Sequence, residues 1–312
     1  MTATLAIGPY NQSERPALEE SFNAHVVADP SEAAGMDPAA RSTIKAIAYK
    51  GHLPFGGAEM DLFPNLGLVA NYGVGYDAID VDAANARNIR VTNTPDVLND
   101  DVADLAIAMW ISQGREMRQA EAWVRDGKWA SDGAYRLNRK VSGGKVGIMG
   151  MGRIGRDIAD RLAAFKTDVH YHARSEKQTP GWTYHADPVA LANAVDFLFV
   201  ALVGGSATEK YVSKEVIAAL GKDGVVINIS RGSTIDEDAL LDALEIGAIA
   251  GAGLDVFVGE PDLNPRFLAL DNVVLQPHQG SGTVETRAAM AKLQRDNVAA
   301  HLAGGDLLTP VN

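Results

Sequence analysis

The chain has 312 residues, 46% of them hydrophobic and 22% charged, with a formal net charge of −12. That length suits roughly two domains, each with its own core, and the scattered basic residues offer no patch for nucleic acid. With no cysteine there is no disulfide framework, thiolate metal site or thiol nucleophile. No apolar run approaches the ~20 residues of a membrane span, and "MTATLAIGPYNQSERP" lacks the basic and apolar regions of a secretory signal. A soluble cytoplasmic protein without a membrane or nucleic-acid partner is expected.

Short apolar runs at 4–8, 24–28, 44–49, 67–71 and 89–93 are separated by segments of helical period such as "DVDAANARN". Strands alternating with helices imply βαβ units and a parallel sheet. In the loop "GHLPFGGAEM" (51–60), Leu53 and Phe55 suit a substrate pocket and a local core equally well. "NDDVADLAIAMWISQGREMRQAEAWVRDGKW" (99–129) carries one long helical pattern with acids at its start. It suits a buried intrachain helix and an arm with a dimer surface about equally.

From residue 145 the alternation resumes through "KVGIMG", "DVHYHA", "DFLFVAL", "GVVINIS", "GAGLDVF" and "NVVLQP", which predicts a second parallel sheet. "TVETRAAMAKLQRDNVAAHLAGG" predicts a closing helix that ends at its glycine pair. Near its start, Arg287 is expected in a surface salt bridge, in preference to a substrate contact.

Gly150, Gly152 and Gly155 stand in a G-x-G-x-x-G spacing between the strand "KVGIM" and the amphipathic run "RIGRDIADRLAAF". The first glycine permits a tight turn, the second lets backbone approach a pyrophosphate, and the third allows close helix–strand packing. A dinucleotide site is expected. Such sites normally carry an acid about 20 residues further on, to hold the ribose 2′-hydroxyl. Here that place reads Ala173, Arg174, Ser175. Nothing there repels a 2′-phosphate, while Arg174 and Ser175 can bind one and Lys177 adds charge. NADP is therefore expected over NAD.

Three further segments each end a predicted strand of the second sheet: "VVINISRG", "GAGLDVFVGEP" and "NVVLQPHQGSG". Ligands in open α/β sheets bind at the carboxyl ends of strands, and these ends bring Arg231, Asp255, Glu260 and His278. The set suits reduction of a 2-keto acid: a cation grips the carboxylate, an acid protonates the carbonyl oxygen, and a carboxylate keeps that acid charged and aimed.

The ordered stretches "NYGVGYDAID", "NTPDVLNDDVADLAIAM", "MGRIG", "NISRG", "GLDVFVGEP" and "PHQGSG" resemble the D-isomer-specific 2-hydroxyacid dehydrogenase family along nearly the whole chain. The resemblance implies two doubly wound parallel-sheet α/β domains. One is a flavodoxin-like substrate-binding domain, 1–97 plus 283–312, and the other a Rossmann dinucleotide-binding domain, 98–282. It implies that Arg231 binds the substrate carboxylate, that His278 is the general acid and Glu260 its partner. Asp255 would face the nicotinamide carboxamide, and the Val74 and Gly75 amides, with Leu53, would bind substrate. The implied cofactor set is Gly150, Gly152, Arg153, Ile154, Gly155, Arg174, Ser175, Ile229, Asp255 and Gly280, with no metal. A homodimer through the 99–129 helix is implied too.

Within the family, "PHQGSGTVETRAAM" and "LLTPVN" resemble its NADPH-dependent glyoxylate and hydroxypyruvate reductases, hydroxyphenylpyruvate reductases included. Two departures stand out. "ALVGGSATEKY" (201–211) lacks the family's proline, which puts its cofactor contacts in doubt, and Gln279 sits where an apolar residue is commoner. The expected reaction is NADPH-dependent reduction of glyoxylate or hydroxypyruvate. The alternatives are a bulkier 2-keto acid, such as an aryl pyruvate or 2-ketogluconate, and a non-enzymatic dinucleotide-sensing scaffold.

Overall fold

The computed structural model describes residues 2–12 and 14–312. The chain divides into two units, one running to Leu98 and including Thr283–Asn312, the other Asn99–Gly282.

The first unit holds β1 (Thr4–Ile7), β2 (His25–Val27), β3 (Ala46–Tyr49), β4 (Leu68–Asn71) and β5 (Arg90–Thr92), all parallel in the order β2-β1-β3-β4-β5. Every residue of β1, β3 and β4 is buried, because a parallel sheet is covered on both faces and its strands read as apolar runs. Leu5, Ile7, Ile47 and Val69 join Phe55 and Met60 on one face, while Ala46, Leu68 and Ala70 meet Val298 on the other. Val298 belongs to the helix Val284–Leu302, so the C-terminal segment completes this unit's core. On the same helix the buried Gln294 amide donates to the carbonyls of Tyr49 (3.1 Å) and Ala70 (2.8 Å).

Phe55 lies in this core against the Tyr49 ring, whereas Leu53 is 56% exposed. The two candidates of that loop are thus separated. Arg287 makes no ion pair among the described residues. Its guanidinium lies 5.9 Å from the Tyr72 ring centroid instead, which corrects the salt-bridge expectation.

The second unit holds β6 (Lys145–Met149), β7 (Asp168–His172), β8 (Thr183–His185), β9 (Phe197–Val200), β10 (Val225–Asn228), β11 (Gly251–Leu254) and β12 (Val273–Leu275). They form one parallel sheet in the order β12-β11-β10-β9-β6-β7-β8. The order reverses between β6 and β9, which is the topological switch point of a Rossmann sheet. β8 carries no apolar run to mark it in the sequence, because it is a three-residue edge strand without a buried residue.

The stretch 99–129 is not one helix. It breaks into Asn99–Gly114, Met117–Arg125 and Lys128–Ser131, with Glu116 (φ 47°) and Gly127 (φ 74°) left-handed at the breaks. The Glu116 carboxylate accepts from Tyr135 and Arg136, each at 2.7 Å, and these bonds offset the strained conformation. The first piece is a buried intrachain helix. Its Trp110 sits edge-on among Phe165, Phe197 and Phe199. Among the described residues, no helix is long and apolar enough to cross a membrane.

Candidate functional site

At the carboxyl end of β6 the fingerprint turns sharply. Gly150 has φ 104°, and a Cβ there would lie 2.6 Å from the Ala201 carbonyl oxygen, so only glycine fits. A Cβ on Gly155 would come within 2.0 Å of the Gly150 carbonyl oxygen, which makes this the closest helix–strand approach of the turn. Gly152 differs. A Cβ there meets nothing within 4 Å, and the residue is the N-cap of the helix Arg153–Ala164. Space at that glycine, beside the N-terminal amides of a twelve-residue helix, fits a pyrophosphate. Arg153 is exposed there and Ile154 half-buried.

β7 ends beside β6, and its last residue, His172, accepts the Gly150 amide at 3.0 Å. The loop that follows is pinned from below. Tyr184 donates to the Ala173 carbonyl (3.2 Å), and the Tyr171 hydroxyl bonds both backbone groups of Lys177 (2.8 and 3.0 Å). Arg174 and Ser175 are exposed on that loop, and Lys177 Nζ lies 3.4 Å from Ser175 Oγ. No acid occupies the 2′-hydroxyl position, so a cation and a hydroxyl are what the loop offers a ribose phosphate.

Across the switch point, β10 leads through the buried Ile229 to Arg231. The Arg231 carbonyl accepts from Asn228 Nδ2 (3.0 Å) and Thr234 Oγ1 (2.7 Å), and Ser230 Oγ bridges Asn228 Oδ1 (2.7 Å) and Thr234 Oγ1 (3.0 Å). This closed network, with its three side chains buried, fixes the direction in which Arg231 leaves the strand. Sequence reasoning missed Asn228, Ser230 and Thr234. Their only signal is a run of small polar residues at a strand end.

Asp255, 1% exposed, follows β11. Its two oxygens accept the amides of Gln279 (2.6 Å) and Gly280 (2.7 Å), and its carbonyl accepts the His278 amide (2.9 Å). Burial pushes its carboxyl above the ordinary value, against the pull of those two amides. The buried aspartate thereby clamps the turn carrying His278, which sits at φ 54°, a left-handed conformation that needs such support. Gln279 enters this clamp through its backbone amide.

The turn brings His278 Nδ1 to 2.6 Å from Glu260 Oε2, while Glu260 Oε1 accepts the Phe257 amide at 2.7 Å. Both side chains are about one-quarter to one-third exposed. An imidazole whose Nδ1 is directed to a carboxylate presents Nε2 on its opposite edge, the arrangement of an oriented general acid.

The first unit carries an element of another kind. At the end of β4, Asn71 Nδ2 donates to the carbonyls of Gly73 (3.1 Å) and Gly75 (2.9 Å), and Asn93 Nδ2 to that of Val74 (2.9 Å). Those bonds turn the carbonyls inward, and among the described residues the Val74 and Gly75 amides have no backbone acceptor. Two adjacent free amides suit a carboxylate. Leu53 is exposed after β3, its carbonyl accepting from the Tyr49 hydroxyl.

A family model described as "D-isomer specific 2-hydroxyacid dehydrogenase, NAD binding domain" matches residues 107–280. The chain is 44% identical over 269 residues to hydroxyphenylpyruvate reductase of Plectranthus scutellarioides, covering 86% of each chain. It is 43% identical over 312 residues to 2-ketogluconate reductase of Gluconobacter oxydans (strain 621H), covering 98% of this chain and 97% of the relative. Among solved structures, an NADPH-dependent glyoxylate/hydroxypyruvate reductase from Sinorhizobium meliloti, in complex with NADP and malonate, superposes with a TM-score of 0.93. That match has 44% identity and covers 100% of this chain and 97% of the other.

Proposed function

The chain belongs to the D-isomer specific 2-hydroxyacid dehydrogenase family, and we propose that it reduces glyoxylate or hydroxypyruvate to the 2-hydroxy acid, using NADPH. The observation that carries the reading is the 2.6 Å contact between His278 Nδ1 and Glu260, on a turn clamped by Asp255 in the same unit as Arg231.

In this reading the Arg231 guanidinium holds the substrate carboxylate and orients the 2-carbonyl. His278 delivers the proton from Nε2 to the carbonyl oxygen, and Glu260 keeps the ring aimed and offsets its charge. Bound NADPH supplies the hydride. The fingerprint amides at Gly152–Gly155 receive the pyrophosphate, with Arg153, Ile154, Ile229 and Gly280 along the same carboxyl edge, and Arg174 and Ser175 bind the 2′-phosphate. Asp255 acts here by holding Gln279 and Gly280, the carboxamide contact being a role the resemblance adds. In the first unit, the Val74 and Gly75 amides are a second carboxylate-binding element, and Leu53 is offered to the substrate side chain.

We further read the protein as a homodimer formed through the region 99–129. Met117, Val124 and Trp129 support this, being exposed on the two short helices that bury none of their residues in their own unit. Sedimentation at micromolar concentration tests it, and a monomer would overturn it.

The defining experiment measures initial rates of NADPH and NADH oxidation with glyoxylate, hydroxypyruvate, phenylpyruvate and 2-ketogluconate. Fast NADPH turnover with one of the first two supports the proposal. Preference for 2-ketogluconate would replace the substrate with the one that names the Gluconobacter oxydans relative. Equal rates with both cofactors would overturn the role of Arg174.

A further inference from the structure

The segment 203–210 follows β9 at the switch point and holds one short turn of its own, Ser206–Thr208, in which Thr208 Oγ1 donates to the carbonyls of Val203 (2.5 Å) and Gly205 (3.1 Å). It contains Gly204 and Gly205, the latter at φ 117°, and its Val203 is 76% exposed. Its ties to the rest of the unit lie at its ends. At the near end the Ala201 amide donates to the Met149 carbonyl (2.9 Å), and Ala201 and Leu202 press on Gly150. At the far end the amides of Lys210 and Val212 donate to the carbonyls of Ser233 (2.7 Å) and Thr234 (3.0 Å), in the turn after Arg231.

A third tie crosses the unit. The Tyr211 hydroxyl lies 2.8 Å from Nε2 of His172, a residue only 5% exposed. The Nδ1 of the same ring lies 2.9 Å from the His185 carbonyl oxygen. A carbonyl can only accept, so Nδ1 donates there, which leaves Nε2 to pair with the Tyr211 hydroxyl. His172 also takes the Gly150 amide on its own carbonyl. One residue is therefore bonded through its backbone to the fingerprint turn and through its ring to the far end of segment 203–210.

We infer that His172 and Tyr211 are a positioning pair for the dinucleotide: their hydrogen bond fixes segment 203–210 against the fingerprint turn, so that the cofactor meets a preformed crevice. The pair's side-chain hydrogen bonds are to each other and to the His185 carbonyl, and it acts on cofactor affinity, not on hydride or proton transfer. Preorganisation of this kind strengthens binding by lowering the ordering cost. The inference rests on the dinucleotide reading of this unit. A neighbouring contact provides the control. His170 Nδ1 lies 2.9 Å from His185 Nε2, in the same strand pair, but ties down no segment of the crevice edge.

The test is Tyr211→Phe, which removes one oxygen and leaves the ring, assayed with glyoxylate and whichever of NADPH or NADH turns over faster. The expected result is a roughly tenfold rise in the cofactor KM, and in the Kd of the oxidised cofactor by calorimetry. At saturating cofactor, kcat and the KM for glyoxylate stay within about twofold, and amide exchange at 203–210 quickens in the free variant. His170→Gln should leave the cofactor Kd unchanged. An unaltered cofactor Kd in folded Tyr211→Phe would overturn the inference, whatever happens to its Tm. So would a fall in kcat at constant cofactor KM, or an equal weakening in His170→Gln. Wild-type protein that binds neither dinucleotide would overturn the underlying reading as well, which separates the two failures.

Discussion

The two halves of the second unit's carboxyl edge solve different problems by different means. At β6 and β7 the proposed working groups are backbone amides, and the residues that matter are those with the least side chain: Gly150 and Gly155 for close approach, Gly152 for open space. At β10, β11 and β12 the proposed working groups are the side chains of Arg231, Glu260 and His278. Buried polar neighbours aim two of them, Asn228, Ser230 and Thr234 for the arginine and Asp255 for the histidine turn, while the Phe257 amide holds Glu260. Binding a phosphate needs oriented dipoles that never change state. Moving a proton needs a group that does change state and is held still meanwhile. Substitutions in the two halves should therefore separate cofactor affinity from turnover.

The largest expected effect lies in the second half. His278→Gln keeps a polar side chain of similar reach but supplies no transferable proton, so kcat should fall about 10³-fold. The Kd for the oxidised cofactor, measured on the same preparation, should stay within twofold of wild type. Turnover within tenfold of wild type would remove His278 from the proton-transfer role.

In the first half a pair of alanine substitutions sharpens the contrast. Gly155→Ala drives a Cβ to 2.0 Å from a backbone oxygen, and neither helix nor strand can yield cheaply. A loss of about 2–3 kcal/mol in chemical denaturation should accompany weakened cofactor binding. Gly152→Ala meets no atom, so its stability should be unchanged while cofactor affinity still falls. If both variants lost stability alike, the distinction between packing and ligand space would fail.

Legibility from sequence divides along the same line. The fingerprint and the set Arg231, Asp255, Glu260 and His278 could be read because each sits where a strand ends, and strand ends carry strong local patterns. The hydrogen-bond networks behind them could not. Asn228, Ser230 and Thr234 are ordinary turn residues until the buried turn closes them on one another, and Tyr211 meets His172 across 39 positions of chain. The break at Glu116 was hidden for a related reason. The helical pattern continues through it, and the partners that hold the left-handed conformation, Tyr135 and Arg136, come from later in the chain. Phe55 and Leu53, two residues apart, diverge because the Tyr49 ring covers only one of them.

Arg174→Ala tests the exposed rim of the cofactor half and should cost less. One charge-assisted contact to a 2′-phosphate is worth about 1.5–3 kcal/mol, and exposure places this one near the low end. A fall of about tenfold in kcat/KM for NADPH is expected, with kcat/KM for NADH unchanged. Parallel losses with both cofactors would mean that Arg174 supports the loop and does not read the phosphate.

The smallest effect is expected at the sheet's edge, where pH changes stability without changing the site. Burial holds the His185 imidazole below its ordinary pKa, and the neighbouring His170 and His172 push it the same way. The folded protein therefore takes up this proton at lower pH than the unfolded chain does. The contribution to stability is complete above the ordinary histidine value of about 6.5. It is lost as pH falls from there toward the depressed folded value, because the unfolded state binds the proton first. The urea midpoint of wild type should drop between pH 7 and pH 5, and His185→Gln should reduce that drop. Cofactor affinity at pH 7 should be the same in both, since His172 is bonded to the His185 backbone carbonyl and not to its ring. Equal pH slopes would take the titration away from His185, and a change in affinity would show that the edge and the crevice are less separable than their geometry implies.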